Sequence, residues 1–166
     1  MTRRPSMLPL ILALGIAVTD QVSKQVVRDQ FALGESLAVI DGFFHLTYIR
    51  NTGAAWGLLG GLNGYLTGLS VVMLILLVVF RRSLLSDCLS HRLALGLMVG
   101  GIVGNLMDRI RLGWVTDFLD FNLFGYPWPA FNVADAAICT GVGLYVITSY
   151  TTARPGRECK QSDTPS

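Results

Sequence analysis

Two aspartates, Asp117 in VTDF and Asp135 in FNVAD, stand in short polar motifs at the edges of apolar segments. An ionisable group at membrane depth is costly and by default marks function, and two carboxyls that can face each other could serve as acid and base on one bond. Other polar residues follow helical spacing. Asn105, Asp108 and Arg109 at i, i+3 and i+4 share one helix face, and Asn132 with Asp135 repeats the i, i+3 interval. If Arg109 pairs with Asp108, that carboxylate is held ionised, which leaves Asp117 and Asp135 as the less encumbered acids. Asp20 and Lys24, at i and i+4, are placed to pair, whereas Ser23 and Lys24 point about 100° apart on a helix and make no dyad. Taken singly, all of these are the residue types of helix caps and buried ion pairs. There is no HExxH or CxxC, and His45 and His91 map to opposite faces of the membrane, so neither a metal nor a cofactor is expected. Cys88 and Cys159 map to the reducing side and Cys139 to an apolar segment, so no disulfide is expected either.

The elements that must position these groups are membrane helices. The chain is 52% apolar and 14% charged, against roughly a quarter charged in a soluble domain. Its 166 residues make one domain, and a net charge of +2 with dispersed basic residues argues against nucleic acid as a partner. Four stretches are long enough, or nearly so, to cross about 30 Å of hydrocarbon: Met7 to Val27, Leu62 to Phe80 (the cleanest), Leu93 to Met107 and Ala130 to Tyr150. The first continues through DQVSK without a small-residue cleavage site, so it is expected to be retained rather than removed as a signal peptide.

Four helices put both termini on one side. With them fall Arg3, Arg4, Arg81, Arg82, Arg92, Arg154, Arg157 and Lys160, against Lys24, Arg28, Arg50, Arg109 and Arg111 opposite, which accounts for all 13 basic residues. The richer side is expected to be cytoplasmic. Asp20, Asn51, Asn105, Asp108, Arg109, Asp117, Asn132 and Asp135 then gather at the outer surface, an asymmetry that a plain scaffold has no need of.

Between the first two helices, LAVI, Asp41-Gly42 and FFHLTYI read as a hairpin with a two-residue turn, the basis of a small outer sheet. The stretch from Arg111 to Pro129, with Trp114, Phe118, Phe121, Phe124, Tyr126 and Trp128, reads as an interfacial segment able to cover a site. Gly96, Gly100 and Gly104 recur every four residues, the spacing that lets helices approach closely in lipid; packing within one chain is favoured over dimerisation, and Gly101 beside them leaves room for flexibility or a substrate helix.

DQVSK at Asp20 to Lys24, NTGAAW at Asn51 to Trp56, GGIVGNLMDR at Gly100 to Arg109, VTDF at Val115 to Phe118 and FNVADAAI at Phe131 to Ile138 resemble, in order, the five motifs of the lipoprotein signal peptidase (signal peptidase II) family. The resemblance covers Met7 to Tyr150. Trp56 replaces a more usual phenylalanine, and the tail after Thr151 matches nothing. The resemblance implies an aspartyl endopeptidase of the bacterial inner membrane that cleaves diacylglyceryl-modified prolipoproteins before the lipidated cysteine. It implies Asp117 and Asp135 as the catalytic pair, with Asp20, Lys24, Asn51, Gly53, Asn105, Asp108, Arg109 and Asn132 supporting them or binding substrate.

The sequence thus predicts a membrane all-α fold: four transmembrane helices, a small periplasmic β-sheet and an interfacial periplasmic segment. Residues 1–150 form one peptidase domain and 151–166 a disordered cytoplasmic tail. The protein is expected to be a monomer with prolipoproteins and membrane lipids as partners and its active site near the periplasmic surface. Two rival readings are a small ion-coupled transporter, which requires carboxylates near the midplane on a path open alternately to both sides, and a non-catalytic assembly factor, which explains the glycines but not the acids.

Overall fold

The computed structural model describes residues 7–53, 61–84 and 88–152. Trp56, the ends that carry Arg3, Arg4, Arg154, Arg157, Cys159 and Lys160, and Ser86 lie outside them. Among the described residues, three helices are long and apolar enough to cross a membrane: α1 (Leu8–Gln30), α4 (Leu89–Leu112) and α5 (Val133–Thr152). A shorter apolar helix, α2 (Asn63–Val79), coincides with the expected second span and is followed by a single turn, α3 (Arg81–Leu84).

The helices are apolar on the outside and polar within. On α1 the inward stripe is Ala13, Ala17, Asp20, Lys24 and Val27, while Leu10, Leu14, Val18, Val22 and Val26 face out at four-residue spacing. Hydrophobic burial cannot hold such helices together in lipid, so they need close backbone contact and internal polar bonds. The glycines of α4 supply the contact. A Cβ on Gly100 would lie 2.7 Å from the Ala13 carbonyl oxygen, and one on Gly96 2.9 Å from that of Pro9, so α1 rests directly on α4. Gly101 faces the other way, against Ala134 and Ile138 of α5. Its space is therefore filled by a neighbouring helix rather than left for flexibility or a substrate helix. Gly141 of α5 returns the contact at the Ala94 carbonyl.

At one end of the helices lies a four-stranded antiparallel sheet in the order β1 (Ser36–Ile40), β2 (Phe44–Asn51), β3 (Val115–Leu123) and β4 (Tyr126–Pro127). The expected hairpin is β1–β2, but Ile40 pairs with Phe44 across three residues, with Gly42 alone at positive φ. The stretch expected as an interfacial segment forms β3 and β4, whose backbone bonds to the edge of β2 in register (Ile49 with Asp117, Asn51 with Val115). Gly113, left-handed at φ 84°, ends α4 and turns the chain directly into β3. Phe118 packs with Val27 and Tyr48, which fixes the sheet against α1.

Cys88 is disulfide-bonded, contrary to expectation, and Cys139 is free.

Gly100→Ala should lower thermal stability in detergent by roughly 1–3 kcal/mol, because the added methyl meets backbone that can yield only if α1 shifts. Gly15→Ala, with open space around it, should cause no loss in the same melting experiment.

Candidate active site

The site is assembled at the start of α5. Asn132 caps that helix: its Oδ1 accepts the Asp135 N–H at 3.0 Å, and Asp135 Oδ2 accepts the Asn132 N–H at 3.3 Å. This is a capping box with an acid at its third helical position. Asp20 of α1 takes a further N–H of the same turn, that of Ala134, at 2.9 Å. The expectation that these residues act as caps is thus met, and the caps also build the site.

Asn132 reaches the second acid as well. Its Nδ2 donates to Asp117 Oδ1 at 2.7 Å, and Asn51 Nδ2 donates to Asp117 Oδ2 at 2.9 Å. Asn105 Nδ2 donates to Asp135 Oδ1 at 2.7 Å. Every carboxyl oxygen of the two acids therefore accepts one N–H. The orientation of each amide follows from what its oxygen must meet, since Gly53 N–H on Asn51 (2.9 Å), the Lys24 ammonium on Asn105 (2.8 Å) and Asp135 N–H on Asn132 can only donate. With Oδ1 committed, each NH2 has to face an aspartate.

Beneath the acids lies an ion cluster. Lys24, fully buried, sits 2.8 Å from Asp20 Oδ2 and 3.5 Å from Asp108 Oδ2. Asp108 also accepts the Thr116 N–H at 3.0 Å and lies 3.6 Å from Arg28, whose guanidinium donates to Thr116 Oγ1 at 3.0 Å. Asp108 is thus held from α1, and among the described residues it forms no ion pair with Arg109, a pairing the sequence left open. Successive residues at a helix end diverge, and Arg109 lines a cavity where it feels the charges of Asp135, Asp117 and, more weakly, Asp108. Gln21 adds three donor contacts, to Asp20, Asp108 and the Gly104 carbonyl.

Asp117, Asp135 and Arg109 line one cavity of about 370 Å³, together with Asn51 and Gly53. Its remaining wall is apolar, with Trp128, Phe131, Ala136, Ile138 and Cys139 among its residues. All ten residues singled out from the sequence meet here, either on the cavity or in the network under it. Sequence reasoning missed Gln21, Arg28 and Thr116, although Gln21 stands inside DQVSK, and it missed the apolar wall, which has no polar signature.

A family model described as signal peptidase (SPase) II matches residues 12–151. The chain belongs to the signal peptidase II family. Proteins named lipoprotein signal peptidase from Moorella thermoacetica and Syntrophus aciditrophicus are 47% and 45% identical, over 80% and 87% of this chain and 86% and 93% of theirs. A solved structure of a bacterial membrane enzyme superposes with a TM-score of 0.83 at 34% identity, covering 93% of this chain and 94% of its own.

The signal peptidase II family comprises aspartic peptidases, and the site has the electrostatics such chemistry requires. Burial, reinforced by the Asp135 charge, pushes the Asp117 carboxyl up to about 7 against the opposing pull of the Asn51 and Asn132 amides and of Lys24. Two carboxyls coupled in this way titrate as a unit, and the proton they share is given up near neutral pH. Infrared titration of the carboxyl C=O band should show Asp117 protonated below about pH 7 and ionised above it. Asp135→Asn removes the neighbouring charge and should move that titration to lower pH.

Proposed function

We propose that this chain removes signal peptides from diacylglyceryl-modified prolipoproteins, cutting before the lipidated cysteine, with Asp117 and Asp135 as the catalytic pair. The observation that carries the reading is two carboxyls on one cavity, each oxygen held by a donor and each side-chain donor itself held in orientation. Relatives named lipoprotein signal peptidase support the substrate class.

The pair works with one shared proton, and the deeper burial of Asp117 favours it as the resting place. The ionised carboxylate takes a proton from a water, whose oxygen adds to the peptide carbonyl carbon, while the protonated carboxyl donates to the carbonyl oxygen. A neutral gem-diol results. As the C–N bond breaks, the first carboxyl passes its proton to the leaving nitrogen and the second recovers one from a diol hydroxyl. The acids finish as they began. Arg109 faces the cavity to hold the substrate backbone, and the Asp20–Lys24–Asp108 cluster supports the asparagines from below.

In this reading residues 1–150 form one monomeric domain of four spans in the inner membrane, with both termini and the tail 151–166 cytoplasmic. The positions of Asp135 in the first turn of α5 and Asp108 in the last turns of α4 support a site near the periplasmic surface, where water enters. A transporter would need them on a path open to both sides.

Asp117→Asn and Asp135→Asn should each lower cleavage of a lipid-modified prolipoprotein by roughly 10²–10⁴-fold or more while the protein still inserts and folds, since an amide neither takes nor gives the proton. Substantial turnover by either purified variant would sink the assignment. For the orientation, a cysteine at His45 should react with an impermeant maleimide from outside and one at Ser86 should not. Outside labelling at Ser86 would reverse it.

A further inference from the structure

Arg28 lies outside the five motifs, one turn beyond Lys24 on α1, at the rim of the ion cluster with 14% of its side chain exposed. The cluster needs its charge. Asp20 and Asp108 bring two buried carboxylates against one ammonium, and Lys24 stands closer to Asp20 (2.8 Å) than to Asp108 (3.5 Å). A buried charge that is only partly matched is costly, and the Arg28 guanidinium, 3.6 Å from Asp108 Oδ1, completes the balance.

The same nitrogen also reaches the site strand. Arg28 Nη1 donates to Thr116 Oγ1 at 3.0 Å, while Nη2 donates to Gln25 Oε1 at 2.9 Å, and Gln25 is itself tied to Asp29 at 2.7 Å. The planar fork is thus fixed from both of its ends. Thr116, which has no exposed surface, uses every polar group it has: its hydroxyl accepts from Arg28, its N–H donates to Asp108 Oδ2 at 3.0 Å, and its carbonyl accepts from Asn132 Nδ2 at 3.4 Å. That Asn132 nitrogen is the one that donates to Asp117 Oδ1 at 2.7 Å. A shift of residue 116 therefore changes how Asp117 is held.

Two routes lead from Arg28 to the two acids. Through Thr116 it bears on Asp117, the next residue of β3. Through Asp108 it bears on Asp135, because without Arg28 the Lys24 ammonium is the nearest remaining cation for Asp108. Any movement of Lys24 that way lengthens its 2.8 Å bond to Asn105 Oδ1, and that bond is what turns the Asn105 amide toward Asp135.

We propose that Arg28 is a positioning residue of the peptidase reaction: it sets the geometry of the two carboxyls by clamping Thr116 and balancing Asp108, acting through these neighbours rather than on the reacting atoms. The inference rests on Asp117 and Asp135 as the catalytic pair.

Variants of the full-length protein test it on a diacylglyceryl-modified prolipoprotein in detergent micelles. Arg28→Gln should lower kcat roughly 10–100-fold, the scale of a small misplacement of reacting groups, and leave KM within about two-fold. Arg28→Lys keeps the charge but not the planar fork, so it should restore the melting temperature and only part of kcat. Thr116→Val removes the hydroxyl and keeps the backbone N–H; added to Arg28→Gln it should cause little further loss, because both break one contact. A loss confined to KM, full kcat in either Arg28 variant, or multiplied losses in the double variant would overturn the positioning role.

The infrared titration of the Asp117 carboxyl is read without turnover. The groups that act on it are Asp135 and Asn132 from the α5 end, Asn51 from β2, Lys24 from α1 and Arg109 from α4. Asn132 and Lys24 both hold the carboxyl down and both depend on Arg28, so Arg28→Gln should move the midpoint to higher pH. An unmoved midpoint counts against the proposal. Failure of the peptidase reading would show instead as turnover by Asp117→Asn, which leaves the midpoint of the Arg28 variant unaffected.

Discussion

The structure depends on one buried cation. The Lys24 ammonium has no access to solvent, and a charge so placed is tolerable only when paired and hydrogen-bonded on every side. Asp20 of α1 and Asp108 and the Asn105 oxygen of α4 provide that. Stripping one partner from such a cluster generally costs about 3–5 kcal/mol, because the remaining charge is stranded. The cluster therefore fixes the rotation and height of α1 against α4.

The same contacts are passed upward. Asp20 gives its second oxygen to the first turn of α5, and Asp108 accepts the backbone N–H next to Asp117. Lys24 orients the Asn105 amide toward Asp135. Asp117 and Asp135 are thus placed by groups whose own positions are set by a salt bridge, and this rigidity is what the proposed catalytic pair needs. Only glycine at positions 96, 100 and 101 lets the backbones come close enough for these short polar side chains to meet.

Much of this was legible in the chain. The spans showed in runs of apolar residues, the Asp20–Lys24 pair in its spacing and the helix contacts in the glycines. The ten candidate site residues were marked by their place in an apolar setting and by ordered motifs. Less legible were the partners. Asp108 and Arg109 are neighbours, which suggested a pair, yet α1 supplies Asp108 with Lys24 and Arg28 while Arg109 turns to the cavity. Spacing along a chain carries no information about which side another helix occupies.

The strand nature of residues 115–127 escaped for the same kind of reason. Its aromatics fit an interface as well as a sheet, and the choice was made by β2, more than sixty residues earlier, offering an edge in register. The sequence by itself determined which residues are costly enough in lipid to need a purpose, because the free energy of a charge or amide in hydrocarbon is a property of the residue alone. Tertiary structure decided which group each one answers to, which carboxyl is buried deeply enough to keep a proton near neutral pH, and which aromatics pack into the sheet, because these depend on distances between elements far apart in the chain.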